Sequence, residues 1–187
     1  MNAEIRMIHL PVDNQAMMQQ IAVLLVDSFR DNYPEAWPDL QSALEEVRAS
    51  LLPGRLSRVA VNDRGMVLGW AGGIRQYDGN VWELHPLMVH PQYRYRGIGK
   101  ALVADLKEQV RQRGALTLWV GTDDEMGMTT LSGVDLYGDV LGHIAHIRNL
   151  KGHPYAFYQK VGFVIVGVMP DANGPGKPDI YMAMPVG

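Results

Sequence analysis

The chain has 187 residues, 47% apolar and 20% charged, a formal net charge of −3 and no cysteine, which fits one domain burying roughly 70% of its unfolded surface. The absent cysteines exclude a disulfide scaffold, thiolate metal sites and a cysteine nucleophile, and the slight acidity argues against a general nucleic-acid binder. No apolar run approaches the ~18 residues of a membrane span, and residues 1–14 lack the cationic head and apolar core of a secretory signal, so a cytoplasmic enzyme or binding protein is expected.

Residues 5–10 (IRMIHL) alternate as a short strand does. Residues 15–29 place Met18, Ile21, Leu25 and Phe29 at helical spacing. Tyr33-Pro34 and Trp37-Pro38 interrupt the chain before a second amphipathic helix with Leu40, Leu44, Val47 and Leu51 inward, which Pro53-Gly54 ends. Three strand-like runs follow, SRVAVN, MVLGWAGGI and NVWELHPLMV, with Asn62-Asp63-Arg64-Gly65 and Tyr77-Asp78-Gly79-Asn80 as hairpin turns. Residues 97–114 are the clearest helix: Ile98, Leu102, Leu106 and Val110 form one stripe, the last turn is basic, and Gly114 suits the stop. Residues 115–121 read as a strand, 131–148 as helical, HPYAFYQKVGF as a short helix ending near Gly162, and VIVGVMP and DIYMAMPV as a closing strand pair. The order predicts one α/β (α+β) domain spanning 1–187, with a mostly antiparallel sheet and one βαβ crossover.

Positive charge gathers where the clearest helix begins. Arg94, Tyr95, Arg96, Gly97, Ile98, Gly99 and Lys100 wrap an end whose first N–H groups lack helical partners and whose dipole adds positive charge. Glycines admit close approach to the amides, and arginines add charge-assisted bonds to phosphate oxygens. The spacing alone fits an ordinary solvated helix start equally well. Ala101 after Gly99-Lys100 excludes a Walker loop, and Leu102 after Gly97-x-Gly99 excludes a dinucleotide fingerprint.

R-x-x-G-x-G (Arg94, Gly97, Gly99), behind a strand ending LMVHPQY and ahead of an amphipathic helix, resembles the acetyl-CoA motif of the GNAT acyltransferases. The resemblance implies the GNAT fold: a mixed, mostly antiparallel sheet with flanking helices and two splayed parallel central strands, here 81–89 and 115–121. It implies acetyl-CoA as cosubstrate and no metal, with Leu87, Met88 and Val89 along the pantetheine arm, the turn from Arg94 to Lys100 on the pyrophosphate, and Tyr158 beside the sulfur. Tyr95 stands where many members place glycine. WELHPL (82–87), GTDD (121–124), TTLSGVDLY (129–137) and residues 149–180 are similar to the aminoglycoside 6'-N-acetyltransferases, in particular their small dimeric chromosomal branch. This narrower likeness implies a homodimer, a polycationic amine acceptor and a role in antibiotic resistance. It runs from about Arg58 to Ala183 and is weak before that, so the acceptor is less constrained than the reaction.

Acetyl transfer to an amine needs a neutral nitrogen, a polarised carbonyl and a protonated leaving thiolate. A period of two puts Glu83, His85, Leu87 and Val89 on one face of strand 81–89. Pro86 cannot donate to a ladder, so a bulge or broken pairing is expected there, freeing the Leu87 and Val89 amides; the resemblance gives the Leu87 amide the oxyanion role. Glu83 is the family's candidate base, but an ordinary carboxylate is a feeble base for an ammonium, so its expected part is to bind and orient the amine. His85 fits a proton relay or a packing residue. The resemblance puts Tyr158 where a phenol lends its proton to the thiolate, with Tyr155 the competing choice; an aromatic stripe with Phe157 and Phe163 is the structural reading. Asp123, Asp124, Glu125, Asp135 and Asp139 would draw a polycation, Asp124 and Asp135 foremost, and Trp37 either stacks on a sugar or forms a lid. His143-x-x-His146 has no third ligand, so a metal pair is rejected. Two rivals remain: a GNAT enzyme for another amine (polyamine, small metabolite or protein lysine), and a non-catalytic CoA-binding module.

Overall fold

The computed structural model describes residues 5–31, 33 and 35–187; Pro34 and the first four residues of the N-terminal segment lie outside these. The chain is a mixed α/β fold forming two compact units, Met1–Leu116 with Val186–Gly187, and Thr117–Pro185.

The first unit carries β1 (Arg6–His9), α1 (Gln15–Phe29), α2 (Leu40–Ala49), β2 (Arg55–Val61), β3 (Val67–Gln76), β4 (Val81–Val89) and α3 (Ile98–Arg111). Its strands run antiparallel in the order β1-β2-β3-β4. Asn14 caps α1 by accepting the Met17 amide at 3.0 Å, and Asp39 and Ser42 form a capping box on α2. Met18, Ile21 and Leu25 of α1 and Ala43 and Val47 of α2 pack with Val59, Trp70 and Met88 in one core. Phe29, Leu44 and Leu51 are partly buried against it. Leu40 departs from the expected inward stripe: it opens α2 and is 40% exposed, at the rim of a groove that α1 lines with Ala16, Gln20 and Val23.

All four stripe residues of α3 are buried, and β3 meets that helix with glycine. A Cβ on Gly69 would lie 3.0 Å from Leu102, and one on Gly73 3.1 Å from Leu106. A largely buried ion pair bolts α3 to the sheet: Arg58 of β2 gives Nε to one oxygen of Asp105 at 2.6 Å and a second nitrogen to the other at 3.0 Å. Such a fork is strong because two charge-assisted hydrogen bonds run in parallel, and removing one charge leaves the other desolvated without compensation. Asp105→Asn keeps one acceptor oxygen but strips Arg58 of its counter-charge; a loss of about 2 kcal/mol is expected, seen as a drop in Tm of about 4–8 °C.

The second unit carries β5 (Thr117–Asp123), α4 (Val140–Ala145), α5 (Tyr155–Lys160), β6 (Val164–Met169) and β7 (Asp179–Pro185), its strands antiparallel in the order β5-β7-β6. The predicted strands fall within about three residues of these spans. The 131–148 segment does not: only Val140–Ala145 is helical. Gly133 adopts φ +73°, and its amide bonds to the Gly176 carbonyl at 2.9 Å, which draws the chain into turns before α4 begins.

Candidate active site

In the first unit the site grows from an irregularity in β4. Ala71 pairs with Leu87 but Gly73 with Leu84, so His85 and Pro86 together face Gly72, and the His85–Pro86 bond is cis. This is the bulge expected from Pro86. Its consequence overturns the single-face reading, because an extra residue on one strand flips all that follows it. Glu83 pairs with Ile74 and Leu87 with Ala71; neighbouring positions on β3 point to opposite faces, so Glu83 and Leu87 do too. Leu87 shares the α3 face with Leu84, while Met88, opposite Trp70, lies on the α1–α2 face with Glu83.

Past the bulge the amides sort cleanly. His90 donates to the Leu68 carbonyl at 2.8 Å, so Met88, two residues earlier, also aims its N–H at β3. Leu87 and Val89 therefore direct theirs away from β3. Glu83 is half-buried and accepts a 2.7 Å hydrogen bond from Gln76 Nε2. Burial raises its pKa above the ordinary value, against the opposing pull of His85, Arg55 and the Gln76 amide. Gln76 escaped the sequence reading; it ends β3 opposite Val81, and only the hairpin register brings its side chain to Glu83. His85 packs its ring 5.9 Å from that of Trp37, which meets Phe29 edge-on at 4.8 Å. Trp37 thus closes over His85 as part of an aromatic cover.

The basic turn follows β4. α1, α2 and α4 each have a side-chain cap, whereas α3 starts at Gly97 with none. Gly97 has φ +84° and nothing within 4 Å of an added Cβ, so the residue that opens α3 is unobstructed on its side-chain side. Arg94, Arg96 and Lys100 are exposed around it; Arg94 donates to the Val89 carbonyl at 3.3 Å, and Arg96 lies 5.2 Å over the Tyr93 ring. Tyr95 is fully exposed at φ +62°, a left-handed backbone that explains the preference for glycine there and costs tyrosine about 1–2 kcal/mol. Uncapped amides, a bare glycine and three cations suit a diphosphate.

In the second unit Tyr158 is buried, edge-on to Phe157 at 5.3 Å and to Phe163 at 5.6 Å. The expected aromatic stripe is therefore present around it. Tyr155, also buried, has its pKa raised by desolvation. The five acidic residues do not form one open cluster. Asp124 is 0% exposed, its carboxylate taken by the amides of Met128 and Thr129 at 2.6 and 2.8 Å, so the expected direct contact with an acceptor is corrected to an internal one. Asp123 accepts from Asn173, and Glu125 stands 3.9 Å from Lys177. Asp135 and Asp139 are exposed, each bracing a turn through a backbone amide. Among the described residues no three His, Asp or Glu side chains converge to hold a metal ion, and no helix is long and apolar enough to cross a membrane.

Residues 19–129, more than half of the chain, match the acetyltransferase (GNAT) family. A crystal structure of an aminoglycoside 6'-N-acetyltransferase complexed with coenzyme A is 39% identical, with 97% of each chain covered and a TM-score of 0.88. The aminoglycoside 6'-N-acetyltransferase from Enterococcus faecium is also 39% identical over 97% of each chain, with a TM-score of 0.86. Aminoglycoside 6'-acetyltransferase type Ii is 32% identical over 97% of each chain, at 0.73. No curated protein sequence matches. With this match over more than half of the chain and these identities over nearly all of it, the chain belongs to the acetyltransferase (GNAT) family.

Proposed function

We propose that the protein transfers acetyl from acetyl-CoA to the 6'-amine of aminoglycosides, by direct attack within a ternary complex. The observation that carries this reading is the open α3 start, with Gly97 bare and Arg94, Arg96 and Lys100 around it. The acceptor rests on the 39% identity to two aminoglycoside 6'-N-acetyltransferases over 97% of the chain.

Acetyl-CoA, when bound, supplies the activated acyl thioester. The amides of Ile98, Gly99 and Lys100 with Arg94, Tyr95, Arg96 and Gly97 hold its pyrophosphate, and the backbone from Leu87 through Met88 to Val89 lines the pantetheine. The Leu87 amide, aimed away from β3, donates to the carbonyl oxygen as charge develops there, an effect worth about 2.7–4 kcal/mol. Glu83 holds the acceptor nitrogen and shares its proton with solvent; a carboxyl whose pKa burial has raised is better matched to that task than an ordinary one. Tyr158 gives its phenolic proton to the departing thiolate. His85 packs under Trp37 and keeps the Glu83 side of β4 dry. Trp37 stacks on a sugar ring, Asp135 draws the polycation by its charge, and Asp124 shapes its own loop from within. With no cysteine in the chain, a thiol-linked acyl-enzyme is excluded.

The reading includes a cytoplasmic homodimer that protects its host from the drug. The terminal strand β6, with Val164 and Val166 61% and 62% exposed, supports a covered face. Thiol release from acetyl-CoA with kanamycin, spermidine or a lysine peptide tests the acceptor. Turnover is expected with kanamycin and not with an analogue whose 6'-amine is replaced by hydroxyl. Turnover confined to spermidine or peptide overturns the acceptor, and no release with any amine overturns the enzyme.

A further inference from the structure

A closed ring of hydrogen bonds in the second unit takes no part in the proposed chemistry. Asp124 holds the amides of Met128 and Thr129, and Thr129 pairs with Asn149 in an isolated antiparallel bridge. The Asn149 side chain clasps the main chain of His153, donating to its carbonyl and accepting from its N–H, each at 2.8 Å. The imidazole closes the ring: Nε2 lies 2.9 Å from the Asp123 carbonyl oxygen and Nδ1 3.1 Å from the Tyr155 amide nitrogen.

These partners fix the protonation of the imidazole. An amide N–H only donates, so Nδ1 accepts; a carbonyl only accepts, so Nε2 carries the hydrogen. His153 is therefore neutral and of one tautomer. It is 1% exposed, and burial holds its pKa below the usual histidine value, against the Asp123 carbonyl and the carboxylates of Asp124 and Asp123. A second proton would set two N–H groups against each other at Nδ1.

The two anchored groups sit at element ends. Asp123 is the last residue of β5 and Tyr155 the first of α5. That helix has 6 residues and no side-chain cap of its own, too short to hold its shape unaided. Tyr158 stands one turn on from Tyr155. We infer that His153 is a positioning residue for Tyr158: its two ring nitrogens fasten the start of α5 to the end of β5 and so set where the phenol hydroxyl stands. The inference rests on Tyr158 being the proton donor of the proposed reaction.

The test is a double-mutant cycle in the full chain, with acetyl-CoA and kanamycin, each variant's folding checked by thermal melting. His153→Phe keeps a ring and removes both bonds; His153→Asn keeps an acceptor for the Tyr155 amide and gives up the Asp123 bond. In His153→Phe, kcat is expected to fall about tenfold, within the range misplacement of a catalytic group produces, with a smaller fall in His153→Asn and KM for acetyl-CoA changed less than about twofold. In a Tyr158→Phe background neither substitution should lower kcat further. A loss that persists undiminished in that background, or an unchanged kcat in a folded His153 variant, overturns the inference and leaves Tyr158 as donor. Full turnover in Tyr158→Phe alone removes the donor reading and the inference with it. Should His153→Phe fail to fold, His153→Asn carries the same comparison.

Discussion

Gly72→Ala is expected to lower Tm by about 6–12 °C and, in the fraction that folds, to cut kcat/KM by about 100-fold. A Cβ on Gly72 would run into the His85 carbonyl oxygen and lie 3.0 Å from its carbon and 3.3 Å from Pro86 Cδ. Backbone and a proline ring cannot swing aside, so β3 and β4 must part by roughly an ångström, at a cost of about 3 kcal/mol. The bulge is what turns the Leu87 amide away from β3, and a misplacement of that size costs on the order of 10²-fold in rate. The α3 turn lies beyond the disturbance, so acetyl-CoA affinity by calorimetry should change less than fivefold, on the order of 1 kcal/mol or less. An unchanged Tm with full activity would falsify the claim that the bulge needs a bare β3 residue.

The same bulge marks where sequence reading stops. Its existence follows from one proline in a strand, but its effect on facing requires the register, which no residue type announces. Periodicity placed the buried stripe of α3 correctly because Ile98, Leu102, Leu106 and Val110 repeat over several turns. It failed at Leu40, which meets the helical spacing yet sits in the first turn, where α1 no longer covers it. The acidic residues after β5 illustrate a different limit. Charge in sequence does not reveal what a carboxylate faces, and Asp124 faces two amides of its own loop. The 131–148 segment contains apolar residues at plausible spacing, but Gly133 at φ +73° breaks the run. His153 and Gln76 were invisible for a shared reason: each acts by bonding to residues that only folding brings alongside. What was legible was the chemistry stored locally, a glycine-rich basic helix start and a proline-marked strand.

Glu83→Gln should move activity and stability in opposite directions. In kcat/KM for kanamycin a loss of about 100-fold is expected, the size of a truncated charge pair in a part-buried site. The larger share should appear in KM, because an anchor for the ammonium acts before and during transfer, whereas a base alone would lower kcat. The parent's kcat/KM should fall on the acid side with an apparent pKa above 4.5, the ordinary value from which burial raises this carboxyl, and the substitution should abolish that limb. The sign for stability follows by linkage. A carboxyl with a raised folded-state pKa binds its proton more readily when folded, so its contribution declines as pH climbs from 4.5 through that higher value. At pH 7 the ionised Glu83 therefore destabilises the fold, and Glu83→Gln, which can still accept from Gln76, should melt at a higher temperature than the parent, the gap closing at pH 4. Equal melting at both pH values would mean that Glu83 is not held against its own hydration, and a surviving acid limb would assign that limb to another group. A residue that weakens the fold where the enzyme works, and sharpens function there, is what selection for an ammonium site would retain.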